Sequence, residues 1–122
     1  MYFLFILNEI IGIQRCNHHT ILCSKITEGY CNEVQHLILY GNALKEEHRK
    51  DLVKVISRDH FPKLTSLTLQ CDNYCTLVKA FVVHIPLLFL KLIDCIIDEK
   101  DLEGIVVRTQ QSLCVLWIES MI

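Results

Sequence analysis

Hydrophobic positions along this chain follow two alternating rhythms. In VQHLILYGNAL the residues Val34, Leu37, Leu39 and Leu44 fall on an L-x-x-L-x-L-x-x-N-x-L frame, with Asn42 at its ninth position. The core of the frame returns as Leu64, Leu67 and Leu69 in LTSLTL, as Leu87, Leu90, Leu92, Cys95 and Ile97 in LLFLKLIDCII, and as Leu113, Leu116 and Ile118 in LCVLWI. Successive frames begin roughly 20 to 30 residues apart, the period of stacked repeats. Because successive side chains of a strand alternate faces, the fourth and sixth positions of each frame point the same way. The frames therefore predict short strands whose Leu37, Leu39, Leu67, Leu69, Leu90, Leu92, Leu116 and Ile118 form one continuous core. At the ninth position a polar or thiol side chain can satisfy backbone groups where the chain leaves the strand. Asn42 and Cys95 fill it, and Asp72 and Met121 match it less well.

Between frames the apolar spacing becomes helical. From Glu46 to Arg58, Leu52, Val55 and Ile56 lie three and four apart, with Lys50, Asp51, Lys54 and Ser57 outside that stripe. Leu77, Val78, Phe81 and Val82 predict a short helix before Pro86. The third interval opens on Asp98 as an N-cap, has acidic residues in its first turn and carries Leu102, Ile105 and Val106 on one face. Pro62 and Pro86 stand just ahead of a frame, where proline ends a helix without interrupting the strand.

Residues 1–33 do not fit the frame. Tyr2 to Ile13 is apolar enough to cover an open end of the stack, since solenoid ends otherwise leave core residues in water. Arg15 to Glu33, with Asn17, His18, His19, Ser24, Gly29 and Asn32, reads as irregular with a short strand at Thr20 to Cys23. The chain stops at Ile122 soon after the last frame, which reads as a fragment of a longer array or an end that a partner covers. The domain reading is an atypical segment over 1–33 and about four repeats over 34–122.

Composition narrows the function classes. Of the 122 residues 52% are hydrophobic and 21% charged, enough apolar surface for a folded domain. The net charge of −2 with scattered Lys and Arg lacks the basic face of a nucleic-acid binder. The apolar run from Met1 to Ile13 contains Asn8 and Glu9 and is too short to span a bilayer. It also lacks a basic start and a small-residue cleavage site, so neither a membrane anchor nor a secretory signal is expected. Seven cysteines, an odd number, read as reduced thiols used as small hydrophobes in a cytoplasmic or nuclear protein.

From Val34 onward the chain resembles the leucine-rich-repeat family. LLFLKLIDCIIDEKDLEGIVVRTQQSLCVLWIE is most similar to the cysteine-containing repeats of F-box and ribonuclease-inhibitor-like proteins, in which an L-x-x-L-x-L-x-x-C-x-I strand, an acidic stretch, a D-L helix and the next frame follow in order. The resemblance covers about three quarters of the chain. It implies an α/β solenoid with a short parallel sheet on the concave face and helices on the convex face. It also implies a protein partner, as for the substrate-recognition arm of an F-box-type ubiquitin ligase. Nothing in Met1 to Glu33 resembles the F-box itself, so the ligase-docking residues do not carry over.

Chemical motifs are sparse. Cys16, His18, His19, Cys23 and Cys31 are zinc-ligand types without a C-x-x-C knuckle, so buried thiols and exposed imidazoles are the simpler reading. Glycines 12, 29, 41 and 104 stand alone and form no phosphate loop, and no H-E-x-x-H or G-x-S-x-G occurs. Glu46, Glu47 and His48 read as a solvated helix start. No enzymatic activity, cofactor or metal is expected. The third, fifth and seventh positions of each frame alternate away from the core and are the candidate surface. Trp117 and Tyr40 lead as aromatic anchors, with Phe89, Ile38 and Ile93 as apolar contacts and Lys91 and Glu119 as orienting charges. The alternative is a truncated array, without independent function, whose exposed apolar residues merely contact a missing N-terminal portion of the protein.

Overall fold

The computed structural model of the chain describes residues 23–24, 26–40, 46–70 and 76–119, with the side chains of residues 40 and 46–48 outside the description. Strands β1 (His36–Tyr40), β2 (Ser66–Gln70), β3 (Phe89–Ile93) and β4 (Val115–Glu119) alternate with helices α1 (Glu46–Val53), α2 (Thr76–His84) and α3 (Glu99–Thr109). Among the described residues this is a mixed α/β arrangement with a four-stranded sheet in the order β1-β2-β3-β4, every neighbouring pair parallel. Parallel neighbours need a crossover, and the helical stretches between the frames supply it.

The register is the one the frames predict. Leu37, Leu67, Leu90 and Leu116 pair across the sheet, as do Leu39, Leu69, Leu92 and Ile118. A backbone contact repeats at each strand entry. The Gln35 carbonyl accepts from the N–H groups of Thr65 and Ser66, the Thr65 carbonyl from Leu88 and Phe89, and the Leu88 carbonyl from Cys114 and Val115. Each accepting residue is second in its frame, so the same local geometry recurs one strand further along.

The core lies between sheet and helices. Leu37, Leu39, Leu67, Leu69, Leu90 and Leu92 are buried with Leu52, Leu77, Val78, Phe81, Val82 and Ile105 in one cluster. The first frame position joins it through Val34, Leu64 and Leu87. Phe61, in the loop before β2, meets Phe81 of α2 edge to face, with ring centroids 5.9 Å apart. Asp98 caps α3 as expected, its carboxylate accepting from the Asp101 N–H at 2.7 Å.

Several expectations need correction. Leu116 is only half-buried and Ile118 is 40% exposed, so the core thins at β4. This strand is one of the two sheet edges, and among the described residues no further strand or helix covers it. For the same reason Val106 on α3 is exposed, while Thr109 is buried in its place and donates from its hydroxyl to the Ile105 carbonyl at 2.6 Å. Helix α1 ends at Val53 and does not run to Arg58. Lys54, Val55 and Ile56 donate three residues back, a tighter turn that still buries Ile56. The His60 ring then donates from Nδ1 to the Val55 carbonyl at 2.8 Å, satisfying an acceptor left by that turn.

The strand expected at Thr20 to Cys23 is not formed at Cys23, which lies in a helical turn: the Thr27 hydroxyl donates to its carbonyl at 2.6 Å. The described part of the N-terminal segment, residues 23–24 and 26–33, is also less detached than its polar composition suggests, since Ile26 and Cys31 are buried in the common core. Its apolar residues are too few to show a period, so sequence spacing missed them. Tyr2 to Ile13, Asn42, Asp72 and Met121 lie outside the described residues.

Candidate binding surface

The sheet face turned away from the core carries three rows. His36, Ser66, Phe89 and Val115 pair in the first, Ile38, Thr68, Lys91 and Trp117 in the second, and Tyr40, Gln70, Ile93 and Glu119 in the third. Backbone register alone brings the expected contact residues onto this face. Their exposure is uneven. Trp117 is 50% exposed and Glu119 is exposed, whereas Ile38, Phe89, Lys91 and Ile93 are half-buried. The expectation of a broadly exposed apolar face is corrected accordingly. Strands lie about 4.8 Å apart, so side chains within a row shield one another, and among the described residues only the two edge strands, β1 and β4, lack a neighbour on one side. Ile38 also packs against the core cluster. Tyr40 lies on the third row by backbone register, and its side chain is outside the described residues.

Trp117 has a defined setting. The Lys91 ammonium lies over its ring, 4.6 Å from the centroid, so the cation faces the negative side of the indole π system. The pair sits in direct register between β3 and β4, and it fixes a large aromatic surface in a half-exposed position.

Sequence spacing did not single out Asp94, which ends β3 with a left-handed backbone, φ 54°. Aspartate tolerates that conformation better than most residues. Its N–H donates to the Glu119 carbonyl at 2.7 Å, and its Oδ2 accepts from Gln70 Nε2 at 3.2 Å. Asp94 thus joins the ends of three strands at the third row. Its Oδ1 is buried without a hydrogen-bond partner among the described residues, leaving one unsatisfied acceptor beside the candidate surface. The only signal in the sequence was an Asp directly after the strand pattern, a common position for a turn residue.

The zinc-type cluster is described at two of its members. Cys31 is buried, and burial pushes its thiol up to about 11; Cys23 is half-buried and raised by burial first and by the nearby Asp51 charge second. Both shifts disfavour the thiolate that binds metal. Among the described residues no group of three or more His, Cys, Asp or Glu is placed to hold a metal ion. Cys95 is buried at the ninth frame position and Cys114 is exposed. Among the described residues no helix is long and apolar enough to cross a membrane.

No protein-family model, curated protein or solved structure matches the chain.

Proposed function

We propose that the chain is a leucine-rich-repeat solenoid of about four repeats over residues 34–122 that acts as a protein-binding module and not as an enzyme. Three regularities support the repeat reading: the frame-to-frame register, the burial of equivalent leucines, and the shared carbonyl at each strand entry. The partner meets the concave sheet face, and the resemblance to F-box-type repeats makes a ubiquitin-ligase substrate the favoured class of partner. The observation that carries the binding reading is Trp117, half-exposed and held under the Lys91 ammonium on that face. Aromatic side chains held in this way are frequent energetic centres of interfaces.

The test compares proteins captured from lysate by the wild-type chain, Trp117→Ala, and Lys100→Ala on the exposed start of α3. A protein held by wild type and Lys100→Ala but lost by Trp117→Ala supports the reading. With that protein purified, Trp117→Ala should weaken binding by about 2 kcal/mol or more, roughly thirtyfold in Kd. Equal affinity for all three proteins would move the surface off the sheet face.

A further inference from the structure

The β4 edge presents three things together. Its core-facing side chains are uncovered: Ile118 is 40% exposed and Leu116 half-buried, while their register partners Leu92 and Leu90 are fully buried. Beside them an open apolar hollow between α3 and β4 is lined by Val106, Thr109, Leu113 and Leu116. Among the described residues, no strand pairs with the outer side of the β4 backbone. The Val115 N–H donates to Leu88, and the Glu119 carbonyl accepts from Asp94, so both residues direct their polar groups towards β3. Backbone groups alternate sides along a strand, which turns the N–H and C=O of Leu116 and Ile118 away from the sheet. Edge strands commonly carry a lysine, a proline or a bulge against pairing, and VLWIE has only a terminal glutamate.

We infer that this edge docks a second copy of the chain, β4 against β4, antiparallel about a two-fold axis at Trp117. A closed pair of identical chains must use the same patch twice, so the edge has to complement itself. With the axis at Trp117 it does. Leu116 of each copy stands opposite Ile118 of the other, the two residues whose backbone groups point outward, giving four main-chain hydrogen bonds. Their side chains lie on the core face and close the hollow from both sides. The two Trp117 side chains meet on the opposite face, and Glu119 stands across from Val115, so like charges are not opposed. Sliding the pairing by two residues loses this match: one shift sets Ile118 against Cys114, the other sets Leu116 against Ser120. Slides by one residue set core-facing positions against outward-facing ones.

The inference does not rest on the partner reading: Leu116 and Ile118, which make its main-chain pairing, face the core side of the sheet, and only Trp117 is common to the two surfaces. The full chain is examined by sedimentation velocity over roughly 1 to 200 μM, a range that brackets a modest interface. Wild type should shift from monomer to dimer with concentration, and Ile118→Lys should remain monomeric with an unchanged circular dichroism spectrum. Wild type that stays monomeric throughout, or a folded Ile118→Lys that still dimerises, overturns the inference. A second measurement needs no disruptive variant. In a Cys114→Ser background, Trp117→Cys should form a chain-to-chain disulfide on mild oxidation, mapped by mass spectrometry. Two residues at the axis of a non-hydrogen-bonded pair lie about 4.5 Å apart at Cα, within disulfide reach. Glu119→Cys in the same background should not link to itself. Linking through position 119 and not 117 would refute the register.

Discussion

Replacing Leu90 by alanine tests the core along its most informative row. Leu37, Leu67, Leu90 and Leu116 are register partners, and the first three are 3%, 0% and 0% exposed while Leu116 is half-buried. Deleting a fully buried leucine side chain costs about 2 to 5 kcal/mol, from lost transfer free energy plus the cavity left behind. Leu90 has strands on both sides and helices beneath, so little can collapse into the space, and the upper part of that range is expected. Leu116 keeps solvent on one side, and about 1 to 2 kcal/mol follows from roughly half the burial. A domain with a net stability of about 5 to 15 kcal/mol registers both losses clearly. The assay is urea unfolding at sub-micromolar protein, where self-association does not contribute, with midpoints compared at unchanged m. A Leu90→Ala loss below about 1 kcal/mol, or equal losses at positions 90 and 116, would refute a core that is closed at β3 and open at β4.

Asp98→Ala removes the α3 cap and should cost about 0.5 to 2 kcal/mol, with Asp98→Asn restoring most of it in the same unfolding assay. Gly104 lies within α3, and an added Cβ there meets nothing within 4 Å, so Gly104→Ala should raise stability by about 0.5 to 1 kcal/mol. Under native conditions a thiol reagent should label Cys114 quickly, and Cys31 and Cys95 at the rate of unfolding, as peptide mapping would read out. The Cys31 thiol, raised by burial from 9.0 to about 11, holds its proton more tightly folded than unfolded. Its contribution to stability is therefore complete below pH 9 and lost as pH rises towards 11, so Cys31→Ala should flatten the alkaline fall in melting temperature.

The strands were legible because each is short, half-buried and punctuated by leucines at fixed offsets, so one pattern fixes both face and register. The α2 stripe was equally readable: Leu77, Val78, Phe81 and Val82 are all buried, as spacing predicted. Spacing failed where burial depends on a neighbour and not on the segment itself. Val106 of α3 fits a helical stripe as well as Val78 of α2 does, yet only α2 has a helix on each side among the described residues. Ile118 matches Leu92 in its frame and differs in exposure because, among the described residues, no strand pairs beyond it. Asp94 was missed for another reason: its role comes from Gln70 and Glu119, which are distant in sequence and meet it only through the sheet.

The same neighbour effect decides where the chain can act. On β2 and β3 each side chain of the outward face has a partner on both flanks, and the core face is closed, so those strands offer polar tips and part-covered apolar groups. On β4 both faces lose that cover at once. Trp117 and Val115 emerge on one side and Ile118 on the other, with Leu116 half-covered beside it. Binding through the sheet face and pairing through the strand edge therefore draw on a single strand and share Trp117. Leu116 and Ile118 lie on the core side by residue parity, so pairing can be altered there without touching the outward face. Ile118→Lys acts on the core side and the edge, and Lys91, across from Trp117 on β3, reports on the outward face alone. A partner that engages Trp117 would meet its two-fold mate in the dimer, so partner binding and self-association should compete through that side chain even though only one of them depends on Ile118.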